Sequence, residues 1–150
     1  MNILFVCTGN TCRSPMAAAY FAKICRESGL SDIHTASAGV AAPGGQPMSC
    51  GAEAVLREQG ISVEHTSQTL TEEHVRWADR IVTMTDRHKT AAESWFPAAR
   101  GKTVLLSRLS DEQGGDIPDP FGGTVALYRE CLESMKPPLR TLAEQLADAV

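Results

Sequence analysis

No run of apolar residues in this chain approaches the ~20 that a helix needs to cross a bilayer. Its first residues carry no basic stretch of the kind that opens a secretory leader. A cytoplasmic protein without a membrane partner is expected. The five cysteines are odd in number and no two are spaced Cys-x2-Cys, which argues against a disulfide framework and against structural zinc. The four histidines show no metal-ligand spacing either. Positive charge is in deficit, with 14 Lys and Arg against 18 Asp and Glu, and a net charge of −4 argues against a nucleic-acid-binding surface. Repeats, low-complexity tracts and linkers are missing. What remains is 150 residues of ordinary globular usage, 43% hydrophobic and 21% charged, enough to bury a core without staples. One domain over residues 1–150 is expected, and a monomer.

Against this background one string is dense in chemistry: Cys7-Thr8-Gly9-Asn10-Thr11-Cys12-Arg13-Ser14-Pro15. It follows Asn2-Ile3-Leu4-Phe5-Val6, a short apolar run of the kind that forms a fully buried strand. Ser14 suits a helix N-cap and Pro15 the first helical position. Residues 16–28 then carry Met16, Ala19, Tyr20 and Ile24 at helical spacing and stop at Gly29. The string therefore links a strand to a helix N-terminus, where free backbone N–H groups and the helix dipole bind anions. Gly9 and Asn10 permit the backbone angles that let successive N–H groups curl around one dianion. The phosphate cradle is assigned to Thr8, Gly9, Asn10, Thr11, Cys12, Arg13 and Ser14. Cys7 sits where this positive field converges, the setting in which a thiol becomes a nucleophilic thiolate. Arg13 offers a planar fork for two phosphoryl oxygens, and Ser14 a hydrogen bond to the sulfur.

A covalent phosphoryl transfer also needs an acid to protonate the leaving atom. Asp119 and Asp116 are the two candidates. Asp119 follows the Gly- and Pro-rich stretch Gly114-Gly115-Asp116-Ile117-Pro118, and Pro120 stiffens the position after it.

The string Cys-x-Gly-Asn-x-Cys-Arg-Ser-Pro resembles the low-molecular-weight protein tyrosine phosphatases, and the resemblance runs the length of the chain. Ser37-Ala38-Gly39 resembles that family's strand-end segment, His65-x-Ser67 its supporting segment, and Asp119-Pro120-Phe121 its general-acid loop. The resemblance implies that Asp119, directly before Pro-aromatic, is the acid. It also implies that His65 hydrogen-bonds Asn10 with Ser37 assisting, that Cys7, Arg13 and Asp119 are the catalytic residues, and that no metal or cofactor is needed. The substrates would be phosphorylated proteins. Tyrosine-specific relatives usually carry Ile or Leu where this chain has Thr11, and Tyr or Trp after Asp-Pro where it has Phe121. The segment Ala41-Ala42-Pro43-Gly44-Gly45 also lacks an aromatic. In these respects the chain resembles the bacterial branch that dephosphorylates protein arginine. A phosphoguanidinium carries N–H donors, which a Thr11 hydroxyl and an Asp119 carboxylate can accept. Tyrosine phosphatase activity is the alternative.

The remaining residues alternate in type along the chain. Strands are expected at 33–37, 80–84 and 103–106, and helices at 49–59, from Thr71 through Trp77, at 85–96 and from Thr124 onward, with Pro137-Pro138 kinking or restarting the last. This order predicts a flavodoxin-like α/β sandwich of three layers, a four-stranded parallel sheet with helices on both faces, and a ligand site at the carboxyl ends of the strands. Cys25, Cys50 and Cys131 read as small core residues, and His34, His74 and His88 as surface or helix-face residues. Cys12 is a candidate to resolve a sulfenic acid on Cys7 as a disulfide. An arsenate reductase would need a relay of further cysteines, and Cys25, Cys50 and Cys131 are scattered. A cysteine phosphocarrier would have no use for an Asp-Pro acid.

Overall fold

A computed structural model describes residues 1–149. Its centre is a four-stranded, wholly parallel sheet in the order β2-β1-β3-β4. The strands are β1 (Asn2–Cys7), β2 (His34–Gly39), β3 (Arg80–Thr83) and β4 (Thr103–Leu105), and the helices are α1 (Arg13–Glu27), α2 (Cys50–Glu58), α3 (Glu72–Trp77), α4 (Asp86–Trp95) and α5 (Val125–Asp148). The expected sandwich is therefore the observed one. The buried face of β1 alternates with the pleat. Ile3, Phe5 and Cys7 belong to the larger core, shared with α1, α2 and α5, while Leu4 and Val6 belong to a smaller one under α3 and α4. With both faces covered, β1 has to be apolar throughout, which is why Ile3-Leu4-Phe5-Val6 reads as an unbroken run.

Several boundaries differ from expectation. β2 runs two residues past Ser37, because Ala38 and Gly39 stay in register with Val6 and Cys7. The last helix is neither ended nor restarted at the proline pair: α5 continues through Pro137 and Pro138 to Asp148. Pro138 and Leu139 are buried in a helix that packs along α1, and that packing outweighs the lost backbone bonds. Leu106 opens a 3-10 turn, Leu106–Leu109, rather than closing β4. Cys50, expected in the core, is exposed at the start of α2, whereas Cys25 and Cys131 are buried. Burial pushes the Cys25 thiol up to about 11 and the Cys131 thiol up to about 12. Among the described residues no helix is long and apolar enough to cross a membrane.

All of β1, β2 and β3 end at the same edge of the sheet. β1 is central, so Cys7 emerges between Gly39 of β2 and the Thr83–Met84 end of β3.

Candidate active site

Beyond Cys7 the chain turns through residues 8–12 and enters α1 at Arg13. Asn10 is the hub of this turn. It is fully buried, and among the described residues it is the one non-glycine at positive φ, 57°, a region Asn tolerates better than most. Its Nδ2 donates to Ser14 Oγ at 2.8 Å and to Ser37 Oγ at 3.0 Å, and its Oδ1 accepts from the Gln68 N–H at 2.9 Å. His65 Nε2 donates to its carbonyl at 2.6 Å. The loop also lies tight against β2. A Cβ built on Gly39 would stand 2.4 Å from the Thr8 carbonyl oxygen and 3.0 Å from the Asn10 nitrogen, so only glycine lets the two backbones meet.

These bonds orient a proton. An amide nitrogen only donates, so Ser14 Oγ accepts from Asn10 and directs its own hydrogen to Cys7 Sγ, 2.9 Å away. Ser14 is thus not the helix N-cap that its sequence context predicts. α1 begins two residues earlier than expected, Cys12 holds the cap position without a side-chain cap bond, and Pro15 is the third helical residue. The Ser14 hydroxyl is committed to the sulfur and to Asn10, so the first-turn N–H groups receive no serine cap. Among the described residues no backbone group accepts from the N–H groups of Gly9, Asn10, Thr11 or Cys12, which leaves them for an anion at the helix N-terminus.

Arg13 closes the other side. The residue is 5% exposed. Nη1 donates to the Ile117 carbonyl at 2.9 Å, Nη2 donates to Thr8 Oγ1 at 3.4 Å, and Nη2 lies 3.6 Å from Asp119 Oδ2. Ile117 is itself tied to the end of β3, its N–H donating to the Met84 carbonyl at 2.8 Å. The two candidate acids separate here. Asp116 Oδ1 accepts from the Asp86 N–H at 2.8 Å, at the start of α4. Asp119 lines the loop's pocket, with Oδ1 accepting from the Phe121 N–H at 3.1 Å. That pocket is about 200 Å³ and is walled by Cys7, Thr8, Gly9, Thr11, Cys12, Arg13, Asp119 and Phe121. Ser37 and His65 act from behind the loop, through Asn10. Neither Gly44-Gly45 nor Gly114-Gly115 reaches the pocket wall.

The model for low molecular weight phosphotyrosine protein phosphatases matches residues 2–150. The chain belongs to that family. A protein-arginine-phosphatase of Geobacillus stearothermophilus is 43% identical over 145 residues, 97% of this chain and 95% of that protein. The low molecular weight protein-tyrosine-phosphatase PtpB of Staphylococcus haemolyticus is 36% identical over 90% of this chain and 92% of its own. Among solved structures, a YwlE arginine phosphatase C7S mutant with a phosphorylated active-site serine superposes with a TM-score of 0.93 at 39% identity, covering 98% of this chain and 96% of that one.

One phosphatase residue at this site escapes a reading of the sequence. His88, expected on the surface or a helix face, is 3% exposed and donates from Nε2 to Thr8 Oγ1 at 2.8 Å. Its Nδ1 accepts from the Thr85 N–H at 3.1 Å. Burial, followed by the nearby Arg13 charge, lowers its pKa to about 4. The spacing that could have flagged it is Thr85-x-x-His88, a repeat of Thr71-x-x-His74, since both form capping boxes at helix starts. Cys12 lines the pocket beside Cys7 and contacts Ser49 Oγ and Tyr128 Oη, each at 3.4 Å.

Proposed function

We propose that this phosphatase removes phosphate from arginine side chains of proteins, through a phosphocysteine on Cys7. The observation that carries the reading is the pocket itself: a thiol, a row of uncommitted N–H groups, a buried Arg13 and an Asp119 carboxylate around about 200 Å³. Cys7 Sγ attacks phosphorus in line. The S–P bond forms as the P–N bond breaks, and the Asp119 carboxyl gives its proton to the leaving nitrogen. Arg13 and the loop amides take the charge that spreads over the phosphoryl oxygens. Ser14, donating to the sulfur, offsets the negative charge that returns to it when the S–P bond later breaks. Water then attacks phosphorus, Asp119 takes its proton, and the S–P bond breaks to release phosphate and the thiolate. No step calls for a metal or a cofactor. The phosphorylated serine that replaces cysteine in the YwlE mutant supports placing the phosphoryl group at this position.

The choice of arginine rests on three supports. Thr11 brings a hydroxyl to the pocket wall, and Asp119 brings a carboxylate beside the leaving group. Both can accept from guanidinium N–H groups that an aliphatic wall would leave unpaired. Third, relatives more than 40% identical along nearly their whole length are protein-arginine-phosphatases. Five free thiols fit a reducing cytoplasm. The test is a side-by-side rate comparison on matched phosphoarginine and phosphotyrosine peptides. Faster turnover of phosphoarginine is expected. Equal rates, or a preference for tyrosine, return the chain to the tyrosine-specific reading that its PtpB relatives represent.

A further inference from the structure

Thr71-x-x-His74 and Thr85-x-x-His88 build the same local structure. In each, the Thr hydroxyl accepts from the His N–H, at 3.3 and 3.2 Å, and the His Nδ1 accepts from the Thr N–H, at 3.1 Å in both. A backbone N–H only donates, so Nδ1 carries a lone pair in both rings, and in the neutral ring the hydrogen sits on Nε2. The two rings differ in what receives that hydrogen. His74 offers it to Gln68 Oε1 at 3.2 Å, near the surface. His88, buried, offers it to Thr8 Oγ1 at 2.8 Å. Thr8 Oγ1 also stands 3.4 Å from Arg13 Nη2, and a guanidinium has no acceptor. Thr8 Oγ1 therefore accepts from both, and its own hydrogen is left for a third group. Thr8 is exposed and lines two cavities, the catalytic pocket and a neighbouring groove of about 580 Å³ that runs past Arg13, Asp86, Arg87, His88 and Asp116.

We propose that His88 is a positioning residue for phosphoryl transfer: as a neutral donor it sets the Thr8 hydroxyl to point its hydrogen into the catalytic pocket, toward a phosphoryl oxygen, and shares Thr8 with Arg13. The proposal rests on the phosphatase reading above. The charged groups facing the ring are Arg13 at the start of α1 and Asp116 and Asp119 on the segment before α5. Asp86, Arg87 and Lys89 are its neighbours on α4. Protonation would put a second donor against the Thr85 N–H, and burial together with Arg13 keeps the ring neutral down to about pH 4.

The test is a double-mutant cycle on His88→Leu and Thr8→Val, read as kcat/KM on an aryl phosphate and as inhibition by inorganic phosphate. Each single change is expected to lower kcat/KM about tenfold or more and to weaken phosphate inhibition, and the pair together to do no more than Thr8→Val alone. A residue that only capped α4 would instead give additive losses and unchanged phosphate inhibition, and either result overturns the proposal. Should His88→Leu not fold, His88→Gln decides. Glutamine at this position keeps an acceptor for the Thr85 N–H and a donor for Thr8, so kcat/KM within about threefold of the parent and an unchanged pH profile from pH 5 to 8 are expected. A profile limb that disappears in His88→Gln would show that His88 titrates in this range and overturn the neutral-donor role. The parent's turnover of the aryl phosphate is measured first, so failure of the phosphatase reading itself is seen separately.

Discussion

Residues 8–12 and residues 116–123 face each other across one pocket on very different footings. On the first side Cys7, Asn10, Cys12 and Ser14 are buried, and Asn10 alone ties the loop to Ser14, Ser37, Gln68 and His65. On the second, the Asp119 side chain is 49% exposed and Phe121 74% exposed. Their backbone is held by short local turns, the Phe121 N–H to Asp119 Oδ1 and the Gly123 N–H to the Pro120 carbonyl. The two sides meet through Arg13, which is rooted in α1 and donates to Ile117. In the proposed reaction the phosphoryl group has the same shape on every substrate, so the side that would hold it can be rigid and preorganised. The leaving group would differ between substrates, and the side proposed to meet it is the exposed one.

Breaking the rigid side at the proposed nucleophile should have the largest effect. Cys7→Ser is expected to lower turnover about 10⁴-fold or more while inorganic phosphate still binds, because the amides and Arg13 remain; isothermal titration beside a rate assay checks both. On the open side, Asp119→Asn should slow poor leaving groups by about 10²–10⁴-fold and acidic phenols far less. Its unfolding midpoint should move by no more than about 0.5 kcal/mol. If Asp116→Asn shows that leaving-group pattern instead, the acid lies on the wrong carboxylate. Asn10→Ala reverses the signature. It strips partners from Ser14, Ser37 and Gln68, so urea denaturation should show a loss of about 3 kcal/mol along with the loss of rate.

The buried ring behind Thr8 should add a pH dependence to stability. His88 has a folded value of about 4, below the ordinary 6.5. Between those values the unfolded chain holds a proton that the folded chain does not, so stability falls as the pH drops from 6.5 toward 4. Above 6.5 this group contributes no slope. Its share is roughly 3 kcal/mol, and His88→Gln should remove it from urea midpoints compared at pH 4.5 and 7. The smallest effect expected is on selectivity. Thr11→Ile exchanges a hydroxyl for an ethyl group in the pocket wall and should lower the ratio of phosphoarginine to phosphotyrosine rates by about tenfold. An unchanged ratio would leave the discrimination to Phe121 and the open side.

Legibility in the sequence follows the same division. The apolar run of β1, the Gly-Asn turn and the alternation of strands with helices are local signals, and they define the sheet and the loop without further help. Ser14 misleads because a Ser-Pro pair looks the same whether the hydroxyl caps a helix or serves a sulfur seven residues back. His88 is invisible for a related reason. Thr-x-x-His states a helix start, but only the pairing of β3, the strand that leads into α4, with β1 brings that ring to Thr8, eighty residues away. Pro137 and Pro138 mislead in the opposite sense, since the packing of α5 along α1 overrides a strong local breaker. The link between Asn10 and His65, by contrast, was visible only through resemblance, as nothing in a lone His-x-Ser points at an asparagine.

The place of β1 in the sheet also governs when the site comes into being. β1 is an inner strand that precedes both of its neighbours in the chain, and it needs β2 on one side and β3, nearly eighty residues later, on the other. Cys7 is therefore made well before its surroundings and stays outside any finished sheet until β3 has followed it. Arg13 waits longer still, for the Ile117 carbonyl, and α1 waits for α5 to cover it. Contacts so distant along the chain are slow to close. Until those contacts close, the pocket around Cys7 and Cys12 lacks the wall that Asp119 and Phe121 give it, and the site is completed late.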